Sequence, residues 1–177
     1  RLVGSEMCIR DRSSGDAVFV YGLLTFPEVV YAITGQRYRM QPASLVDYKS
    51  YGLSQQPGDT PVPALTRCPG HVQLGQLLLD VLPPELDKLD FFEELDSGLY
   101  VRQKVRVQSS GQWLDAWCYA AGPALLPYLA GEWTLQQVSE EHKNHLITQL
   151  IPSMLTTYHK LSGPDGTKTK APPLSED

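Results

Sequence analysis

Ala17-Val18-Phe19-Val20-Tyr21 is a short, continuously apolar run rich in β-branched and aromatic residues. Such a run predicts a central strand buried on both faces. Gly22 follows at once and can take backbone angles that other residues avoid. Thr25 and Glu28 have the spacing of a capping box, and Pro27 fits a first helical turn. A helix is therefore expected from Phe26 to Thr34, stopped by Gly35. Strand, glycine turn and helix start in this order leave backbone N–H groups at a turn, where they either hold a carboxylate or oxyanion or simply close the turn.

Further along, Ala43 to Tyr51 reads as a strand with Leu45, Tyr48 and Tyr51 as packing residues, and Ser54 to Pro63 as a polar loop. Pro63-Ala64-Leu65-Thr66 suggests a short edge strand. Val72, Leu74, Leu77 and Leu79 mark another, with Gly75 at a bulge or a close backbone approach. Pro83-Pro84 opens a helix whose apolar face carries Leu86, Leu89 and Phe92 at spacing three, leaving Asp87, Lys88 and Asp90 in water. The aromatic pair Phe91-Phe92 is expected to be buried, with Glu93 at the helix end on the margin of the core. After an Asp96-Ser97-Gly98 turn, Leu99, Val101, Val105 and Val107 alternate with Tyr100, Arg102, Lys104 and Arg106 in a strand. A hairpin over Gln108–Gln112 returns it as Trp113–Ala120, in which Tyr119 alternates with Trp117. Thr134 and Gln137 suggest a second capping box, opening a helix through Leu150 that Pro152 kinks or ends.

Length and composition bound the rest. A chain of 177 residues with 42% hydrophobic content suits one domain with a real core. A net charge of -5 and the lack of any Lys/Arg block argue against nucleic acid as the main partner, and no apolar run is long enough to span a bilayer. Cys8, Cys68 and Cys118 show neither metal-ligand spacing nor an even framework, so free thiols in a reducing, cytoplasmic compartment are expected. His142 and His145 lack an acidic or thiol partner that would make them a metal site, and no metal is expected. Residues 1–12 look like the translation of a sequencing-library adaptor and are set apart from the domain, expected over 16–161. Residues 162–177, rich in Gly, Pro, Lys and Asp, read as a disordered tail. No internal repeat occurs, nor any of the usual phosphate-loop, nucleophile-elbow or Cys-x-x-Cys motifs.

The candidate chemistry centres on Glu93. Glu93 is either a solvated residue at a helix end or a carboxylate at the edge of an apolar wall, where a raised pKa makes a usable base near neutral pH. Two separated stretches sharpen this. Val18-Phe19-Val20-Tyr21-Gly22-Leu23-Leu24, continued by Phe26-Pro27-Glu28-Val29, resembles the opening motif of gamma-glutamylcyclotransferase-like proteins. Leu89-Asp90-x-Phe92-Glu93 followed by Tyr100-x-Arg102 resembles that family's second motif, and Gly131-Glu132-Trp133 resembles its plant avirulence-induced subgroup.

The resemblance implies an α+β fold: a small, mostly antiparallel β-barrel flanked by helices. It implies Glu93 as the general acid/base, with no cofactor. The reaction would be an intramolecular acyl transfer that releases 5-oxoproline and an amine or amino acid from a small gamma-glutamyl amine or peptide. Tyr21, Gly22, Leu23 and Leu24 would hold substrate through backbone donors, with Tyr100, Arg102 and Tyr119 as further substrate-binding candidates. Tyr100 either lines the pocket or packs, Arg102 binds a carboxylate or pairs with an acid, and Cys118 reads as an inert core thiol. Leu23 stands where relatives carry Thr or Ser. The loop after Glu93 is longer than usual and puts Glu94 next to the expected base. A non-catalytic binding module on the same fold, and an enzyme that removes a gamma-glutamyl group from a metabolite, are the competing readings.

Overall fold

A computed structural model describes residues 15–54 and 61–163. The expected adaptor-like segment 1–12, residues 55–60 of the polar loop and the tail from 164 onward lie outside the described residues.

Among the described residues, six strands form one sheet: β1 (Asp16–Val20), β2 (Met40–Leu53), β3 (Pro63–Val81), β4 (Tyr100–Ser109), β5 (Gln112–Ala121) and β6 (Leu129–Glu132). Their order is β3-β1-β5-β4-β2, and β2 pairs back onto β3, so five strands close a barrel and β6 lies outside it on β2. Among the described residues, only the β1–β5 pair runs parallel. Against the barrel lie α1 (Pro27–Thr34), α2 (Pro83–Phe92) and a long C-terminal helix made of α3 (Glu140–His145), a π turn over Leu146–Leu150 and α4 (Ile151–Ser162).

Two cores explain the apolar run in β1. Phe19 and Tyr21 join Leu45, Leu65, Leu77, Val107 and Cys118, all strand residues or strand ends, in the barrel interior. Val18 and Val20 point the other way and pack with Ile33, Leu78, Leu89 and Ile151 under the helices. Both faces of β1 are covered, so alternation is lost, as expected for a central strand.

Several expected elements change. The two strand segments over 63–79 are one 19-residue strand; residues 63–66 pair with β2 alone, as an edge, while 76–78 are paired on both sides, with β2 and β1. Its pattern is interrupted at Cys68-Pro69-Gly70, where residues 68–71 of β3 face Asp47 alone. Asp47 (φ 65) and Gly70 (φ 84) are both left-handed, and the Gly70 N–H donates to Asp47 Oδ1 at 2.8 Å, so the turn signal marks a stapled bulge. Gly75 is a close approach: a Cβ there would stand 2.3 Å from the Val20 carbonyl oxygen.

Neither expected capping box forms. Phe26 caps α1 without a side-chain bond, while the Thr25 hydroxyl donates back to the Gly22 carbonyl at 2.6 Å. Thr134 precedes only a single 3-10 turn, and the box that starts α3 is Ser139 with His142, whose Nδ1 accepts from the Ser139 N–H. Pro152 does not end the helix. Proline removes one backbone donor, and the π turn directly before it absorbs the mismatch, so the helix runs on to Ser162.

Candidate active site

One rim of the barrel collects the ends of several elements. β1 ends at Val20, and the chain turns through Tyr21 and Gly22 into a 3-10 turn over Leu23–Thr25. α2 ends at Phe92, with Glu93 as its C-cap. Tyr100 begins β4 and Tyr119 lies near the end of β5, their strands paired in register. Between them lies a cavity of about 180 Å³ lined by the Tyr21–Leu24 segment, Val62, Pro63, Phe92, Glu93, Glu94, Tyr100 and Tyr119, with Phe19 and Val20 behind.

Glu93 is half-buried, and its carboxyl makes no hydrogen bond or ion pair among the described residues. Its pKa is pushed from 4.5 to about 8, first by burial, then by the Glu94 and Asp90 carboxylates. The proton it holds near neutral pH can therefore be exchanged. Across the cavity, Leu23 and Leu24 supply the first two N–H groups of the 3-10 turn. These groups have no backbone acceptor among the described residues, because the turn's own bonds begin at Thr25 N–H to the Gly22 carbonyl. Gly22 is needed for the shape: a Cβ on it would stand 2.5 Å from the Pro63 ring.

The aromatic walls are fixed by hydrogen bonds. The Tyr21 hydroxyl donates to the Tyr119 carbonyl at 2.6 Å, and the Tyr100 hydroxyl to the Pro63 carbonyl at 2.8 Å. The Tyr119 hydroxyl donates to Asp90 Oδ1 at 2.7 Å. Burial pushes all three phenols well above their ordinary range, so they stay neutral and serve as donors. Burial also raises the Cys118 thiol, which is fully enclosed.

Arg102 stands apart from the other expected substrate-binding residues. It does not line the cavity; its Nη1 donates to Asp90 Oδ2 at 2.8 Å, and its guanidinium lies 4.4 Å from the Trp117 ring centroid. The ion pair satisfies it. Asp90, expected in water, is only 18% exposed at its side chain and holds both Arg102 and Tyr119. Asp87 likewise accepts from the Tyr158 hydroxyl at 2.8 Å. Phe91 and Phe92 are half-buried, because they border grooves as well as core. Sequence reasoning missed Asp90, Val62 and Pro63. For Asp90 a signal existed, since it lies three residues before Glu93 and thus on a neighbouring helical face.

Comparison with known proteins bears on the family and the fold. Residues 18–135 match the family described as gamma-glutamyl cyclotransferase, AIG2-like. Among solved structures, At5g39720.1 from Arabidopsis thaliana is 21% identical with a TM-score of 0.54, over 81% of this chain and 93% of that one. At3g28950.1 from Arabidopsis thaliana is 21% identical with a TM-score of 0.55, over 92% of this chain and 94% of that one. A structure titled gamma-glutamyl cyclotransferase is 18% identical with a TM-score of 0.56, over 78% of this chain and 98% of that one. At these identities the structures speak for the fold alone. A comparison with curated proteins finds no match. The family match covers well over half of the sequence, and the chain belongs to the gamma-glutamyl cyclotransferase, AIG2-like family.

Proposed function

We propose that the protein is a gamma-glutamylcyclotransferase-type enzyme with Glu93 as its general acid/base. The observation that supports this reading is a carboxyl without a partner among the described residues, raised to about 8, in a small apolar cleft that is also lined by Leu23 and Leu24, the first residues of the Leu23–Thr25 turn.

A gamma-glutamyl amide enters with its α-ammonium at Glu93 and its γ-carbonyl oxygen toward the Leu23 and Leu24 N–H groups. Glu93 takes one proton from the ammonium. The freed amine attacks the γ-carbonyl carbon of the same molecule, and charge develops on the oxygen facing the turn. Glu93 passes its proton to the leaving nitrogen, the C–N bond to that nitrogen breaks, and a second proton follows the same route. The lactam 5-oxoproline and an alkylammonium or amino acid depart, and Glu93 ends as it began. The nucleophile is intramolecular, so the protein's work is to fold the substrate and carry protons. Tyr21, Gly22, Tyr100 and Tyr119 shape the cleft around the glutamyl portion. Arg102 contributes through Asp90, whose second oxygen holds the Tyr119 hydroxyl.

The test is 5-oxoproline release, followed by mass spectrometry, from a panel of gamma-glutamyl amines and dipeptides. Glu93→Gln is expected to lower kcat by about a hundredfold to ten-thousandfold, the usual worth of a general base. Equal loss in Glu94→Gln with Glu93→Gln still active would move the base by one residue. A second reading, a binding module without turnover, is favoured by Leu23. Its side chain is buried, leaving the turn without the hydroxyl that the family carries there. Folded protein that binds gamma-glutamyl amides and releases no 5-oxoproline would establish that reading.

A further inference from the structure

A second hollow lies at the other end of β1 from the cleft. β1 ends at Val20 beside the cleft, whereas Asp16, at its start, pairs with Val81. Just past that pair the chain leaves β3 through Leu82 and enters α2. The hollow opens there, between this corner and the Gln36–Arg39 segment that joins α1 to β2. It has a volume of about 420 Å³, within the ~300–1,000 Å³ of an ordinary small-molecule site. The Leu79 N–H donates to the Arg39 carbonyl at 3.1 Å and ties its two walls together.

Each wall carries one sign of charge. Arg37 and Arg39 stand on one, Asp80 and Glu85 on the other. Among the described residues, none of the four forms an ion pair. The Arg37 guanidinium lies 4.7 Å from the Tyr31 ring centroid, a contact that leaves its N–H groups available. Two polar atoms of lining residues are buried without a hydrogen-bond partner among the described residues: the Tyr38 hydroxyl and Glu85 Oε2. The Thr34 hydroxyl near Tyr38 already donates to the Val30 carbonyl at 2.8 Å and accepts from the Gln36 N–H at 3.1 Å. Buried polar groups ordinarily bond within the protein, so a donor and an acceptor left unmatched in one hollow mark a place built for an outside partner. The acidic wall is also clamped. Asp80 holds a left-handed backbone (φ 61) at a cost, and Gly15 packs so closely that a Cβ on it would stand 2.5 Å from the Asp80 carbonyl carbon.

We propose that this hollow is a second ligand site, and that its ligand is a small zwitterion with an apolar body: a free amino acid or a short peptide with free ends. The ligand carboxylate accepts from the Arg37 and Arg39 guanidiniums and from the Tyr38 hydroxyl. Its ammonium donates to Glu85 Oε2 and is drawn by Asp80. Leu79 and Leu82, the latter 43% exposed, offer apolar surface to its side chain. A simple anion would meet the two carboxylates, and a simple cation the two guanidiniums. A ligand that bears both charges satisfies both walls. The site is separate from Glu93, and the proposal does not depend on the cyclotransferase reading.

The experiment follows the full chain in proton–nitrogen correlation spectra during titration with leucine and with alanyl-leucine, each beside its N-acetylated and its C-amidated form. The free forms keep both charges, and each blocked form keeps one. The proposal expects saturable shifts of the Arg37, Tyr38, Arg39, Asp80 and Glu85 amides with at least one of the two zwitterions. That zwitterion should bind about tenfold or more tightly than either of its blocked forms. Two variants then assign the walls. Arg39 is exposed and Glu85→Gln keeps the side chain's shape, so Arg39→Gln and Glu85→Gln are both expected to fold. Arg39→Gln should shrink the zwitterion's advantage over its amide by about threefold or more, and leave its advantage over the acetylated form. Glu85→Gln should do the reverse. Both readings are ratios within one variant, so a loss of fold does not mimic them. Equal affinity for free and blocked forms overturns the proposal, as do shifts confined to the Tyr21–Leu24 turn and Glu93. So do ratios that both variants leave unchanged, and so does the lack of saturable shifts with either zwitterion up to its solubility.

Discussion

At the scale of single residues, Glu93 ties stability to the chemistry. Its pKa is raised in the folded state, from 4.5 to about 8. Below the lower value both states hold the proton, and the favourable contribution is complete. Between the two values the unfolded chain ionises while the folded one keeps its proton, so stability falls by up to about 1.4 kcal/mol per pH unit. Above about pH 8 the contribution is gone. Glu93→Gln has no such loss, so it should gain on the parent steadily as pH rises through this window, up to a few kcal/mol in urea unfolding. A parallel pH dependence of parent and variant would mean that Glu93 titrates normally. With Glu93 as the proposed base, kcat/KM is expected to climb with pH until about pH 8, since Glu93 must first lose its proton. Asp90 is the residue on which two others depend. Asp90→Ala would strand the Arg102 guanidinium and the Tyr119 hydroxyl, and an uncompensated, partly buried charge costs about 3–5 kcal/mol at its most severe. Asp90→Asn keeps one acceptor and should lose less. Removing its charge beside Glu93 should also move the acid limb of kcat/KM to lower pH, which a merely structural role for Asp90 would not do.

At the scale of elements, local patterns were readable where local physics decides. The β1 run, α1 with its Gly35 stop at φ 72, the prolines that open α2 and the Ser110-Gly111 hairpin all follow from rules that span a few residues. The single long strand β3 was not readable, because Cys68-Pro69-Gly70 signals a turn and only pairing with β2 carries the strand through it. Asp90 failed for a similar reason. A helical face that looks polar is wet only if nothing distant covers it, and Arg102 and Tyr119 arrive from strands far along the chain. The second motif pointed to Glu93, but its neighbours on the cavity wall, Val62 and Pro63, came only with the fold. Gly75 links element packing to the site. An added methyl would press on the Val20 carbonyl and the Phe19 ring, so Gly75→Ala should lower stability by about 1–3 kcal/mol. Val20 directly precedes the Tyr21–Leu24 segment, so the same variant should also raise KM for gamma-glutamyl substrates. Unfolding midpoints beside kinetics would separate the two effects, and a normal KM in a destabilised protein would show that β1 yields without moving the turn.

At the scale of the whole molecule, the cleft is built from chain ends meeting at one barrel rim, so its precision depends on the barrel staying closed. Phe19 in β1 pairs with Leu77 of β3 on one side and Cys118 of β5 on the other, and its neighbour Val18 is likewise held by Leu78 and Trp117. Val18, Phe19 and Val20 are at most 2% exposed, with a core on each face. Opening β1 means separating two strand pairs and exposing both cores, which amounts to global unfolding. β6 is the opposite case, with one neighbouring strand, two registered pairs and exposed side chains over most of its length. The C-terminal helix lies between these limits. It docks through Leu146 and Ile151 and is tied to α1 by Lys143, which bonds Glu28 at 3.2 Å and lies 4.6 Å from the Phe26 ring centroid. Native-state hydrogen exchange should therefore rank the amides: β1 slowest, at the global unfolding free energy; the C-terminal helix next; β6 fastest. The order bears on the chemistry. If β1 opens only with the whole protein, the Leu23–Leu24 turn that lines the cleft stays in place, as the proposed reaction requires. Exchange in β1 as fast as in the C-terminal helix would mean that the rim breathes as a unit, and a preorganised set of backbone donors would no longer account for the site.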